Sequence, residues 1–143
     1  MENDIIPTVG VLVVKDRKIL LVRHGAVARH LDGKYGLPAG RKQGDESERE
    51  TAIRELKEET GLEIKAEDMI LLPRQWQSDI ERKDGAKRFS IKVFLAKKHE
   101  GRLSGGAETI PEWISMEDIG KYDLLPNIED IVTEGMKLLP SQK

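Results

Sequence analysis

The stretch GRKQGDESERETAIRELKEETGL, from Gly40 to Leu62, decides how the rest of the chain is read. Ser47 and Glu50 stand in the S-x-x-E spacing of a capping box, and Gly61 supplies a stop. Residues 48 to 60 are therefore expected to form a helix of about four turns. On a wheel of 100° per residue with Glu55 at zero, Glu58 falls near −60° and Glu59 near +40°. Three carboxylates share one arc. Ala52, Leu56 and Ile53, at about 60°, 100° and 160°, form the adjacent apolar arc that packs on a sheet, so the acids sit at the edge of the core. Like charges at this spacing repel by a few tenths of a kcal/mol per pair, and solvent or a cation must offset that. Three such glutamates alone are ordinarily a solvated helix face. The alternative is a hard divalent ion, Mg²⁺ with Mn²⁺ as a substitute, which takes carboxylate, carbonyl and water oxygens.

Upstream of the helix, Thr8 to Val14 is almost all small or β-branched. Asp16-Arg17 interrupts before Ile19 to Val22, which predicts a β-hairpin buried on both faces. Residues 24 to 34 are aperiodic, and Tyr35 to Gly40 reads as a short strand ending at a turn. Downstream, Ile70–Trp76 and Phe89–Ala96 form a second expected strand pair, joined around Asp84-Gly85. Gly101 to Gly106 is a glycine-rich loop, Trp113-Ile114 a short strand, and Ser115 the cap of a brief helix. A last helix should begin near Pro126 or Asn127, with Ile128, Ile131, Val132, Met136 and Leu139 on its apolar face and Gly135 where a neighbour approaches closely. Strands and helices mixed in this way predict an α/β fold, a mixed sheet with helices on its two faces, within one domain covering residues 1–143.

Bulk properties narrow the function. The 143 residues suit one core. Twenty-four Lys and Arg against twenty-six Asp and Glu give a net charge of −2, so no global positive field holds a nucleic acid polymer. Without cysteine there is no disulfide framework, thiolate zinc site or Cys nucleophile, which suits the cytoplasm. Neither an export signal nor a run of roughly 20 apolar residues is present, so no membrane partner is expected. Monomer and homodimer remain open.

The spacing around the three glutamates changes their reading. Gly40, Glu46, Arg54, Glu55, Leu56, Glu58, Glu59, Gly61 and Leu62 match G-x5-E-x7-R-E-U-x-E-E-x-G-U at all nine positions. Ordinary residue frequencies produce such a match on the order of once in a billion registers. In this box the chain resembles the Nudix hydrolases (MutT-like). The Thr8–Val22 segment, the Leu37-Pro38-Ala39-Gly40 lead-in and Pro111-Glu112-Trp113-Ile114-Ser115 also look like that family, so the resemblance spans most of the chain.

The resemblance implies the α/β/α sandwich of the family and roles for particular residues. Glu55, Glu58 and Glu59 would be metal ligands, with the Ala39 carbonyl as a further oxygen; family members often have glycine at that position, but a carbonyl ligand needs no particular side chain. Glu46 would pair with Arg54 to brace the loop, with Gly40 and Gly61 completing the motif. Glu55 is the first candidate for the base, and Glu108, in the loop before Pro111, is a downstream candidate for base or ligand; an exposed loop acid is its ordinary reading. Arg23, at the end of the second strand, would bind phosphate or sugar unless it is a surface charge. Asn127 would read a purine edge unless it is simply a helix cap. Tyr35 and Trp76 would stack on a base unless they are core. His24 and His30 receive no role, and Arg82, Lys83, Lys87 and Arg88 read as the solvated tip of a hairpin.

The implied reaction is metal-dependent hydrolysis of a phosphoanhydride bond in a small nucleoside-diphosphate-linked substrate. Because the first strand begins within about eight residues of Met1, short of the N-terminal region usual in ADP-ribose hydrolases of the family, a nucleoside triphosphate, oxidised or non-standard ones included, is expected. Its products would be monophosphate and pyrophosphate. ADP-ribose or another sugar nucleotide is the close alternative, and a catalytically silent nucleotide-sensing or protein-binding domain the alternative of another class.

Overall fold

The computed structural model describes residues 4–24, 33–82, 85–106 and 109–139, with the side chains of His24 and residues 80–86 left aside. The β-branched run near the N-terminus becomes β1 (Ile5–Lys15), in which Val9 to Val13 carry the core on both faces. Asp16 and Arg17 both lie in the left-handed region, φ 52° and 63°, so the chain reverses within two residues into β2 (Lys18–His24).

The expected hairpin exists only at this turn. Val14 pairs with Ile19 and Lys15 with Lys18, and then the strands splay. Each has a stronger commitment on its other edge: β1 pairs in parallel with β6 (Gly85–Ala96) from Ile5–Arg88 to Val13–Ala96, and β2 pairs along its whole length with β7 (Thr109–Ser115). The segment expected as one short strand fills the fork as two. β3 (Tyr35–Gly36) pairs with β2, and β4 (Ala39–Gly40) pairs with β1 at Gly10 and Val9. Between them the Val11 N–H donates to the Pro38 carbonyl at 3.0 Å. Ala39 and Gly40 are thereby wedged against the middle of the sheet.

Helix α1 (Glu48–Thr60) forms where expected, and both arms of its capping box are made: Glu50 N–H donates to Ser47 Oγ at 3.1 Å, and Ser47 N–H to Glu50 Oε1 at 2.8 Å. Gly61 ends it at φ 81°, its N–H bonded to the Lys57 carbonyl. β5 (Met69–Arg82) extends well past Trp76 and pairs antiparallel with β6, with an irregularity between Leu71 and Gln75 around Pro73, which has no N–H to give a ladder. β7 is longer than Trp113-Ile114 because Pro111 and Glu112 hide its first half from a hydropathy pattern. Ser115 caps the 3₁₀ turn Met116–Lys121, and α2 (Ile128–Met136) closes the described chain. The strand order is β3-β2-β1-β6-β5, with β4 beside β1 and β7 beside β2.

Two cores flank this mixed sheet. Val9, Val11, Val13 and Leu20 turn to the α1 face, against Ala52 and Leu56. Leu12, Ile19, Leu21, Val93 and Leu95 turn the other way, against Ile128, Ile131 and Val132 of α2. The α/β/α sandwich is thus realised. Among the described residues no helix is long and apolar enough to cross a membrane.

Gly135 is buried on the sheet-facing side of α2, where an added Cβ would strike the δ carbon of fully buried Leu12. Gly135→Val should therefore lower unfolding stability by about 1–3 kcal/mol in denaturant titration, the usual cost of overpacking. An unchanged midpoint would mean that Leu12 moves aside freely.

Candidate active site

Helix α1 brings the acidic arc against β4, as its wheel requires. Glu55 is 12% exposed at its side chain and Glu58 55%, so the three acids differ in environment. Glu59 is half-buried; its Oε1 accepts the Ala39 N–H at 3.3 Å, and its carboxyl faces that of Glu55. Burial first, and then the facing carboxyl and charge of Glu55, push the Glu59 carboxyl far above the usual carboxylate range. Two carboxyl groups in contact in a half-buried crevice need either a shared proton or a cation.

Gly40 explains how close the crevice is. An added Cβ there would overlap the Glu55 carboxylate, so the requirement for glycine is steric rather than conformational. The Glu55 carboxylate lies directly on the β4 backbone.

Arg54 organises the loop. Its Nε and Nη2 donate to Glu46 at 2.6 and 3.0 Å, and Nη2 also reaches the Arg41 carbonyl at 2.9 Å. Nη1 donates to Glu55 at 3.0 Å and to Glu58 at 3.2 Å. The bracing pair read from sequence is therefore present, and Arg54 also touches two of the acids, which the linear pattern did not reveal. Glu46 further accepts from Gln43 N–H and Thr51 Oγ1, and the Arg54 hydrogen bonds hold its carboxyl down at about 2.

The acids fit a hard divalent ion in kind: all are oxygen donors, and Glu55 and Glu59 abut without a positive group between them. Their arrangement is not a finished cage. Among the described residues no three acidic or histidine side chains converge closely enough to hold an ion, because Glu58 is turned toward Arg54.

Beside Glu59, Ala39 and Gly40 opens a cavity of about 190 Å³, walled mainly by Leu37, Phe89, Ile91, Leu125 and Ile131. Asn127 lines it too. It stands at the N-cap position of α2 but does not cap: its φ is 73°, no side-chain cap bond forms, and its Nδ2 donates to the Gln77 carbonyl at 3.0 Å. The helix-cap reading is corrected: the side chain makes no cap bond and is committed to Gln77 on β5 instead.

The other expected contacts separate. Tyr35 donates its hydroxyl to Glu112 Oε2 at 2.9 Å, and Arg23 Nε lies 3.9 Å from the same oxygen. Burial, followed by Glu112, raises the Tyr35 hydroxyl pKa. Neither residue lines the cavity. Trp76, a candidate for base stacking, is 3% exposed in the α2-side core, with its Nε1–H bound to Asp130 Oδ2 at 2.6 Å, so its ring faces are taken by protein. Glu108 and His30 lie outside the described residues. Sequence reasoning missed Glu112 and Asp130 as anchors; the only available signal was their charge within otherwise apolar patterns.

The family is shown by comparison. The chain belongs to the Nudix family: the NUDIX domain profile matches residues 4–134. It is a Nudix hydrolase. No curated protein sequence matches it. Among solved structures it resembles the Escherichia coli ORF135 protein at 24% identity, covering 94% of this chain and 91% of that one with a TM-score of 0.71. A MutT NUDIX hydrolase from Burkholderia pseudomallei is 21% identical over 95% of this chain and 99% of that one, TM-score 0.69. A bifunctional NMN adenylyltransferase/ADP ribose pyrophosphatase from Francisella tularensis, complexed with AMP and a Mn ion, is 20% identical over 94% of this chain but 42% of that one, TM-score 0.71. At these identities the likeness is one of fold. Nudix hydrolases use divalent metal ions, which suits the oxygen-only donor set.

Two predictions follow from the crevice and its brace. Gly40→Ala should displace Glu55 and cut metal-dependent turnover by about 10- to 100-fold, the usual effect of disturbing a ligand's support, while the thermal midpoint changes little. Turnover at the wild-type level would contradict the contact. Glu46 is held at about 2 in the fold against 4.5 when free, so its contribution is full above pH 4.5 and disappears as pH falls toward 2. In acid unfolding, Glu46→Gln should flatten the loss of stability across that window; a slope equal to wild type would show that the bond adds nothing.

Proposed function

We propose that this Nudix hydrolase is a metal-dependent diphosphatase that cleaves a nucleoside triphosphate to monophosphate and pyrophosphate. The observation that carries the reading is the joining of two unlike environments in one cavity, an apolar slot on the α2 side and the Glu59–Ala39–Gly40 crevice on the α1 side. About 190 Å³ is below the roughly 300–1,000 Å³ of a whole small-molecule site, so the slot takes part of a ligand. An apolar wall suits the faces of a base, and the carboxylates suit cation-bound phosphates.

Within this reading Glu55, Glu58 and Glu59 would hold the ion, with the Ala39 carbonyl beside them and Glu58 exchanging its Arg54 bond for the cation. When bound, a divalent ion neutralises phosphate oxygens and lowers the pKa of an attacking water. The water oxygen bonds to phosphorus as the bridging P–O bond breaks, and the bridging electrons leave with pyrophosphate. Glu55 takes the water's proton, its position fixed by Arg54 and by the Gly40 backbone. Asn127, its Nδ2 occupied by Gln77, keeps Oδ1 as an acceptor for an N–H on the base edge. Arg23 and Tyr35, joined through Glu112, serve the sugar–phosphate end from outside the slot. A sugar nucleotide such as ADP-ribose is the second reading, motivated by the Leu37-Pro38-Ala39-Gly40 lead-in.

The deciding experiment is release of phosphate and pyrophosphate from a panel of ordinary and oxidised nucleoside triphosphates, ADP-ribose and dinucleoside polyphosphates, with Mg²⁺ and with EDTA. Metal-dependent pyrophosphate from a triphosphate is expected. Glu58→Gln should lower that rate by about two orders of magnitude without unfolding the chain. Turnover of sugar nucleotides alone would transfer the assignment to the second reading.

A further inference from the structure

A second concavity, larger than the active-site slot, lies at the C-terminal end of β1. It measures about 640 Å³, within the range of small-molecule sites. The last residue of β1, the segment after α1 and the segment after β6 supply its walls, with Lys15, Lys65, Lys97, Lys98 and His99 among them. Gly10, which pairs with Ala39 beside the crevice, is five residues before Lys15, about 17 Å along an extended strand. The two sites therefore do not overlap.

We propose that this groove binds a small phosphorylated anion of nucleotide size, with Lys15, Lys65, Lys97 and Lys98 holding its phosphates.

Three observations support it. None of the four lysines has a carboxylate partner among the described residues, whereas Lys57, beside the groove, is paired with Glu63, and Lys92 with Glu48. Glu63 also lines the groove but is committed to Lys57 at 2.8 Å, leaving Asp68 and Glu100 as the acids opposing four ammonium groups. The groove frame is also tied together by backbone hydrogen bonds. Glu63 and Glu100 exchange both backbone bonds at 2.8 and 2.9 Å, Lys97 N–H donates to the Asp68 carbonyl at 2.9 Å, and the His99 ring lies 5.5 Å from the Trp113 ring. Four ammonium groups lining one concavity repel one another, and a multivalent anion relieves that repulsion. His99 is half-buried, and burial together with Lys15 lowers its pKa, so at neutral pH it offers the anion an N–H without a further charge. The acidic balance of the whole chain favours a small ligand over a nucleic acid polymer.

The test is a titration of ¹⁵N-labelled protein with inorganic tripolyphosphate, and separately with ADP, at low salt in EDTA, which keeps metal-bound phosphate out of the crevice. Saturating amide shifts at residues 63–65 and 97–100 are expected, weakening as salt rises. Lys65→Gln with Lys98→Gln, both exposed positions, should reduce that affinity roughly tenfold at an unchanged thermal midpoint. Tighter binding of ADP than of tripolyphosphate would identify the nucleotide rather than free polyphosphate as the natural source. Shifts confined to Ala39, Gly40 and Glu59, a response that never saturates, or equal affinity in the double variant would each overturn the site. An oligonucleotide binding more tightly per phosphate than tripolyphosphate would overturn the small-anion assignment. Failure here leaves the hydrolytic reading untouched, because that reading is tested by turnover with metal.

Discussion

The structure depends on the early parting of β1 and β2. A hairpin that stayed paired would leave no edge of β1 free on that side, and Ala39 and Gly40 would have nowhere to dock. Instead two pairs close the turn, the strands diverge, and the Tyr35–Gly40 segment enters between them. Its backbone then presents a flat surface against which Glu55 and Glu59 are pressed. The acids of α1 are close to one another because the helix is capped in register and because this wedge stands where their side chains end.

Arg54 resolves the electrostatic problem that follows. Five hydrogen bonds from one guanidinium gather Glu46, the Arg41 carbonyl, Glu55 and Glu58, so the loop and helix are tied by the same group that offsets the clustered negative charge. Of the three acids on the helix face, Glu59 alone takes no hydrogen bond from it. There burial drives the Glu59 carboxyl toward its protonated form, and a cation is the alternative that would relieve the same crowding.

Much of this was legible in sequence where the determinants are local. Ser47, Glu50 and Gly61 set the helix within a few residues of themselves, and the box fixed which acids share a face. The two-residue strands were not legible, since Ala39 pairs with Gly10 and Tyr35 with Arg23 across distances that no local pattern encodes. Trp76 could not be separated from a stacking residue because its partner Asp130 stands 54 positions away. Asn127 looked like a cap because Asn is common there; its left-handed backbone, visible only in three dimensions, sends the side chain to β5 instead.

The wedge also separates two kinds of inheritance in this chain. β3 is registered on β2 and β4 on β1 by their own ladders, whatever length of chain joins β2 to β3. Residues added or removed in that connection need not shift Ala39 or the helix beneath it. The connection can therefore change in length and sequence while the Glu55–Glu59 crevice keeps its backing strand.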